Sequence, residues 1–401
     1  MKFIECKLSE LGEIVGGSTP FTKNESYYGG DIPWLTPKDL ANFNGRYINL
    51  GERNITEAGY KSTSVKMLPI NSVLFSSRAP IGYVAINNKN EVCTNQGFKS
   101  VIPNSKTNYM FLYYLLKYNK NKIEAMGSGT TFKEVSSTVM KNIIVNVPEA
   151  KEDQIKIGKI LSKIDDKIEL NTQTNDNLYE IGKAYYNYLF KQFGYTDKFK
   201  KTELGYIPND YEVNYLSDVT KNNRNKVKED KGYKVLSAIK TGNLQLSEEY
   251  FNKNVPSANL NKYIIVSKDD FAYNPARINI GSIGRNEYEF KTCVSPVYVS
   301  FSIDKRYKYF FDFYFKSNLF KSEVVTRASG SVRQTLKYED FGLIKLVYPS
   351  EKIIDKFNYL YKSIDKTIMH NQIENETLTQ LRDTLLPKLM SGEIELDKIE
   401  I

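Results

Sequence analysis

Residues 157–189 and 357–385 of this 401-residue chain carry one heptad pattern twice, in step at an offset of 200 positions. The first stripe runs Ile157, Leu161, Ile164, Ile168, Asn171, Asn175, Leu178, Gly182, Tyr185, Leu189. The second runs Phe357, Tyr361, Ile364, Ile368, Asn371, Asn375, Leu378, Arg382, Leu385. A 4-3 spacing held for about four heptads predicts a coiled coil. At 1.5 Å per residue, about 38 residues span roughly 57 Å. Neither stripe is buried unless it meets another, so two long helices are expected to pack on each other, antiparallel, within one chain. Asn171 with Asn371, and Asn175 with Asn375, fall in the stripe at matched places. An amide left facing Leu or Ile is unsatisfied, so buried asparagines fix register at a cost in stability. The alternative is a solvated break between two shorter packed helices.

The segments ahead of the helices repeat too. Ser76-Ser77-Arg78-Ala79-Pro80-Ile81-Gly82 matches Pro275-Ala276-Arg277-Ile278-Asn279-Ile280-Gly281, and Cys93 matches Cys293. Ser128-Gly129-Thr130 matches Ser329-Gly330-Ser331, and Ile143 to Pro148 matches Ile344 to Pro349. Constant order and near-constant offset imply a duplicated unit: a mixed α/β globule, then a long helix. Strands are expected at Val73 to Phe75, Tyr83 to Ile86, Ile143 to Val147, Tyr263 to Val266, Pro296 to Ile303 and Leu343 to Tyr348. Amphipathic helices are expected at Met110 to Tyr118 and Tyr309 to Leu319. The fold class is α+β: two α/β domains joined by the two long helices, pseudo-twofold and duplicated. Placing the tail after Ser391 ahead of Met1 reproduces the junction after the first helix. The organisation is therefore circular, and a permutant with linked ends opened near Lys200 should fold. The expected divisions are 1–149, 150–193 for the first helix, 194–349, and 350–401 for the second helix and tail.

Composition removes several chemistries. Three scattered cysteines, Cys6, Cys93 and Cys293, make neither a disulfide framework nor a zinc ribbon and fit a reducing cytoplasm. The one histidine, His370, argues against histidine metal sites and Ser-His-Asp or Cys-His catalysis. There is no phosphate-cradling G-x-x-x-x-G-K-[ST] and no dinucleotide fingerprint after a strand. Asn274-Pro275-Ala276-Arg277 lacks the second proline and aromatic of an amino-methyltransferase turn. The carboxylate pairs Asp165-Asp166 and Asp269-Asp270 are expected to be solvated charge and a turn, and Cys93 and Cys293 core residues. No metal, catalytic constellation or membrane span is expected. With 56 Lys and Arg against 47 Asp and Glu the net charge is +9, which suits an acidic partner without demanding one.

Several motifs then point one way. Gly16-Gly17-Ser18-Thr19-Pro20 and Ile32-Pro33-Trp34-Leu35-Thr36-Pro37-Lys38-Asp39-Leu40 come first. The Arg78-to-Gly82 element and its copy Arg277-to-Gly281 follow, then Pro148 with Glu152 to Gln154. Gly205-Tyr206-Ile207-Pro208 and Leu385-Leu386-Pro387-Lys388-Leu389-Met390-Ser391-Gly392-Glu393-Ile394 complete the series. In this order the chain resembles, over essentially its whole length, the specificity subunit of type I restriction–modification systems. It departs in having Tyr211 where Trp is usual. The Glu-Gln pair is split by Asp153 and replaced at Glu351-Lys352-Ile353.

The resemblance implies two target-recognition domains, each reading one half of an interrupted double-stranded DNA sequence. It implies helices that set the unread spacer and recruit two modification (methyltransferase) subunits. Two restriction (nuclease/translocase) subunits join the complex. S-adenosylmethionine, ATP and magnesium belong to those partners, and this chain has no catalysis of its own. Alternatives are a stand-alone duplicated DNA-binding or coiled-coil adaptor and a degenerate methyltransferase or nuclease. Half-sites on one face of B-DNA lie about one turn, roughly 34 Å, apart, a distance the helices can span.

Reading bases needs donors and acceptors on loops, and gripping phosphates needs lysines and amides. The expected DNA-binding residues in the first domain are Lys23, Lys38, Arg78, Lys99, Thr130, Thr131 and Lys133. In the second they are Arg224, Lys226, Lys240, Arg277, Arg285, Arg327 and Arg333.

Overall fold

The computed structural model describes residues 1–41, 43, 45–129, 133–228, 232–251, 259–328 and 335–396. The chain forms two compact units, residues 1–174 with 370–401, and residues 175–369.

In the first unit, Phe3–Lys7 runs antiparallel to Ile144–Pro148. Beside it a five-stranded sheet has the order Gly12–Gly16, Lys99–Pro103, Val73–Ser77, Ile81–Asn87, Tyr47–Ile48. A smaller sheet pairs Trp34 with Cys93 and Leu35 with Thr94 in parallel. The core gathers Phe75, Phe111, Leu112, Tyr114 and Leu116 against Ile157 and Leu161 of the long helix Lys151–Phe190. Leu389, Met390 and Leu396, from the far end of the chain, close the same core. Gly392, at φ +78, lies under the Phe3 ring, where a Cβ would stand 2.6 Å from Cε2. The circular organisation has this physical form: the tail completes the core that the first strand opens.

The second unit repeats the plan. Glu212–Tyr215 pairs antiparallel with Lys345–Tyr348. The main sheet has the order Thr220–Asn223, Val299–Ile303, Phe271–Tyr273, Ile283–Arg285. Parallel pairs Val235 with Cys293 and Leu236 with Val294 stand where Trp34 with Cys93 and Leu35 with Thr94 stand in the first. Matching backbone bonds, Leu8 N to Ile143 O and Leu216 N to Ile344 O, are both 2.9 Å. Gly82 and Gly281 both need left-handed backbone, at φ +98 and +91. The core here is aromatic: Phe271, Phe301, Phe311, Phe315, Phe320 and Phe341, with Tyr186, Phe190, Phe357 and Tyr361 from the helices.

The helices are Lys151–Phe190 and Glu351–Ser391, and the second continues through Pro387. Glu152 and Asp153 sit in the first turn of the first, where carboxylates suit the helix dipole. Gln154 is buried; it accepts from Asn108 N at 3.0 Å and donates to Pro148 O at 3.2 Å. It therefore ties strand end, helix start and the neighbouring helix cap together. Ile354, fully buried, occupies the matched place in the second helix. The missing Glu-Gln there is a polar anchor replaced by an apolar one. The order of buried, half-buried and exposed positions over 171–180 is the same as over 371–380. Asn171 donates to Asn375 Oδ1 at 2.9 Å and Glu374 at 2.7 Å. Asn375 reaches Ile168 O, and Asn175 reaches Ile368 O, each at 3.5 Å.

Three expectations change. Asp165 is buried rather than solvated: it accepts from the Tyr114 hydroxyl at 2.6 Å and Arg382 Nη1 at 2.9 Å. Asp166 and Glu169 bind Arg46, 3% exposed, which anchors the edge strand Tyr47–Ile48 to the helix. The stretch from Tyr309 to Leu319 is not one helix but two, Lys308–Tyr314 and Asn318–Arg327. Ser317 accepts from Phe320 N at 3.2 Å and starts the second, a local hydroxyl cap overriding the apolar period. An unforeseen hairpin, Phe199–Thr202 with Gly205–Pro208, lies in the second unit between the end of the first long helix and the strand Glu212–Tyr215.

Candidate nucleic-acid interface

Each unit concentrates cations at one end of its main sheet. In the first, the end of Lys99–Pro103 meets the loop after Val73–Ser77 and the segment before the short helix Ser137–Asn142. Arg78 and Lys99 share Glu134, at 3.3 and 3.4 Å. Glu134 is held by paired backbone bonds with Ser128 of 3.0 and 2.9 Å. Lys133 beside it is exposed. One carboxylate between two cations leaves the patch net positive while holding both side chains in place. Lys23 is exposed on the loop that follows Pro20, and Lys38 is exposed and paired with Glu52 at 2.6 Å. Thr130 and Thr131 lie outside the described residues.

In the second unit the matched end is a cleft of about 350 Å³ lined by Asn222, Arg224, Lys226, Tyr298, Ser300 and Lys337, among others. Arg224 is exposed and pairs loosely with Glu339 at 3.4 Å. The Ser300 hydroxyl is buried and has no hydrogen-bond partner among the described residues. Arg277 and Lys240 are exposed. Arg327 is drawn back to Glu323 one helical turn earlier, at 3.1 Å. Arg333 lies outside the described residues.

Arg285 is the correction among these residues. It is 7% exposed, and its Nε reaches Asp312 at 3.0 Å, Nη1 reaches Asp269 at 2.8 Å and Nη2 reaches Glu287 at 2.7 Å. A guanidinium enclosed by three carboxylates is a structural tie and is not placed in the interface. Lys308 also binds Asp269, at 3.1 Å, so the Asp269-Asp270 turn is an internal ion-pair site. Burial pushes the Asp312 carboxyl up from its ordinary range, while the Arg285 charge draws it down.

Strand register shows how the two cation sites correspond. Gly12 faces Pro103 and Gly16 faces Lys99; Thr220 faces Ile303 and Asn223 faces Ser300. Counted one residue past the end of that pairing, Arg224 falls at the position of Gly16 and Val299 at that of Lys99. A cation stands at this sheet end in both units, on Lys99 at the start of its strand in the first and on Arg224 just past Thr220–Asn223 in the second. Sequence reasoning paired Arg78 with Arg277 and did not single out Tyr298 and Lys337, which line the cleft. A count of 200 along the second half would have placed Tyr298 against Phe98.

Among the described residues no cluster of three or more His, Cys, Asp or Glu side chains could hold a metal ion. Nor, among the same residues, is any helix long and apolar enough to cross a membrane. Cys93 and Cys293 are buried in strands, and burial pushes the Cys93 thiol up to about 12.

Comparison with known proteins gives the chain's family and fold. The family model for the type I restriction modification DNA specificity domain matches residues 2–180. The type I restriction enzyme MjaIX specificity subunit of Methanocaldococcus jannaschii is 34% identical over 427 aligned positions, covering 98% of this chain and 94% of that protein. The HindI specificity subunit of Haemophilus influenzae is 30% identical over 177 positions, 43% of this chain and 38% of that one. Among solved structures, the crystal structure of the S subunit of the type I restriction–modification system from M. genitalium superposes with a TM-score of 0.60. Its sequence identity is 16%, over 97% of this chain and 96% of that one, so the likeness is one of fold.

Proposed function

The chain belongs to the specificity-subunit family of type I restriction–modification systems, and from that premise we propose that each of its units reads one half of a bipartite double-stranded DNA target. Its part is specificity rather than catalysis. The recognition domains are taken as residues 1–149 and 194–349. The helices set the spacer and seat two modification subunits, through which two restriction subunits join in the cytoplasm. S-adenosylmethionine, ATP and magnesium are carried by those partners. The stand-alone adaptor is not favoured, since a specificity subunit is matched over nearly the full length.

The observation that supports DNA reading best is the duplicated cation site. Arg78 and Lys133 on one sheet end, with Lys99, 9% exposed, tied to Glu134 beside them, and Arg224, Lys226 and Lys337 on the matched end, suit phosphates flanking a groove. Lys23, Lys38, Lys240, Arg277 and Arg327, with Thr130, Thr131 and Arg333, complete the proposed contact set. Asn171, Asn175, Asn371 and Asn375 hold helix register.

The test is binding of the full chain, assembled with modification subunits, to duplexes randomised in both half-sites, at several salt concentrations. Selection of two short motifs separated by a fixed gap is expected. Lys226→Ala and Lys337→Ala should each flatten the log Kd against log salt plot by about 0.9 without changing the motif. Binding without any preferred motif would refute the proposal.

A further inference from the structure

Each unit carries the same four-residue turn beside its cation site, and the two turns differ in chemistry. In the first unit Thr94 leads into Asn95-Gln96-Gly97-Phe98 and the strand Lys99–Pro103. In the second, Val294 leads into Ser295-Pro296-Val297-Tyr298 and the strand Val299–Ile303. The same backbone bond closes both, Phe98 N to Asn95 O at 3.2 Å and Tyr298 N to Ser295 O at 3.0 Å. Gln96 therefore matches Pro296, and Gly97 matches Val297.

The first turn is held rigidly from below. Asn95 spends its side-chain oxygen on Gly97 N at 2.9 Å. A Cβ on Gly17 would stand 2.0 Å from Asn95 O, and one on Gly97 2.7 Å from Pro37 Cγ, so loop packs on loop without room for a side chain. Gln96 is left exposed at the tip. Thr19 donates its hydroxyl to Gln96 Oε1, which orients the carboxamide. The Nε2 donors have no partner among the described residues. Lys99 Nζ lies 3.5 Å from Gln96 O, so the tip stands beside the cations. In the second unit Pro296 and Tyr298 line the cleft with Arg224, Lys226 and Lys337. Pro296 is exposed and Val297 is 66% exposed.

We propose that this turn is the base-reading tip of each unit, with Gln96 presenting an amide to a hydrogen-bonding base edge and Pro296-Val297 presenting an apolar surface to a thymine methyl. The two half-sites then differ, and the second contains a thymine under Val297. The proposal rests on the DNA-reading function above. Single exposed apolar residues are ordinary on protein surfaces. What sets this pair apart is its position: two neighbouring apolar residues at the cation-flanked place where the duplicate puts an amide. Cations gripping phosphates on either side would press the tip toward the groove floor, where amides match adenine and apolar groups match the thymine methyl.

The test uses the full chain with modification subunits and the randomised duplex pool. Gln96→Ala should lower discrimination at one or two adjacent positions of one half-site by about tenfold, leaving the other half unchanged. Replacing thymine by uracil in the second half-site, which removes only the methyl, should weaken wild type by about fourfold. Val297→Ala should be indifferent to that replacement. A thermal melt checks that each variant is folded, and Gln96→Glu, of equal size, serves if the alanine variant is not. Wild-type preferences at every position in both Gln96→Ala and Val297→Ala, or no response of wild type to uracil, overturn the inference alone. If wild type selects no bipartite sequence, the DNA-reading function falls and this inference with it.

Discussion

Asp165→Ala should be among the costliest single substitutions in the first unit. The carboxylate is 5% exposed and takes the Tyr114 hydroxyl at 2.6 Å and Arg382 Nη1 at 2.9 Å. Removing it orphans a buried phenol, worth about 1 kcal/mol. It also breaks a buried ion pair, for which the cost is about 3–5 kcal/mol. The lower end applies, because Arg382 keeps Asp383 at 2.8 Å on an exposed partner and can turn toward water. The expected loss is therefore about 3–4 kcal/mol, or about 6–16 °C in the midpoint of a unit this size. Asp165→Asn keeps an acceptor for Tyr114 and should lose roughly half as much. The assay is selective. The chain has one tryptophan, Trp34, buried in the first unit with its Nε1 donating to Ser18 O at 3.0 Å. Its fluorescence in a urea titration follows that unit alone. A loss below about 1 kcal/mol, or equal losses for Ala and Asn, would show that the pair is no stronger than a surface one.

Gly182→Ala should destabilise the second unit by about 1–3 kcal/mol in a thermal melt, although Ala is the better helix former by about 1 kcal/mol. The added Cβ would stand 2.4 Å from the Tyr361 ring. Asn171→Leu alone should cost about 1–2 kcal/mol by stranding the Asn375 oxygen. Asn171→Leu with Asn375→Leu should recover at least half of that, read by Trp34 fluorescence; simple additivity would refute a coupled pair. Asp312 has its folded pKa raised by burial. The folded state thus holds this proton more tightly, and its stability contribution is full below the ordinary carboxylate range and lost as pH rises through the raised value. The difference between Asp312→Asn and wild type should therefore move in the variant's favour as pH rises from the ordinary carboxylate range through the raised value, in urea unfolding followed by circular dichroism. A difference that does not change with pH would refute the shift.

Much of the architecture was legible because it is written in local period and in repetition. The heptad stripes predict the two helices from side-chain spacing alone, and the duplicated elements around Arg78 and Arg277 and the paired cysteines mark the repeat and its core strands without reference to anything distant. The family likeness followed from motifs in a fixed order. The helix break at Ser317 was less legible, because one hydroxyl accepting from Phe320 N outweighs an apolar run that continues past it. Arg285 looked like a free loop arginine because two of its partners, Asp269 and Asp312, lie 16 and 27 residues away. Asp165 looked solvated because Arg382 is 217 residues away.

Sequence by itself determined the period, the duplication and the circular order, all of which depend on neighbours along the chain. Only the tertiary structure decided how matched positions share their work. Gly182 matches Arg382, yet Gly182 makes room for the Tyr361 ring while Arg382 pairs with Asp165. Lys99, facing Gly16, has Val299 in its place in the second unit, where the cation is Arg224, one residue past the strand Thr220–Asn223. The second exchange conserves the charge of a site rather than the identity of a residue. Both become visible only when strand register and helix packing show which residues meet.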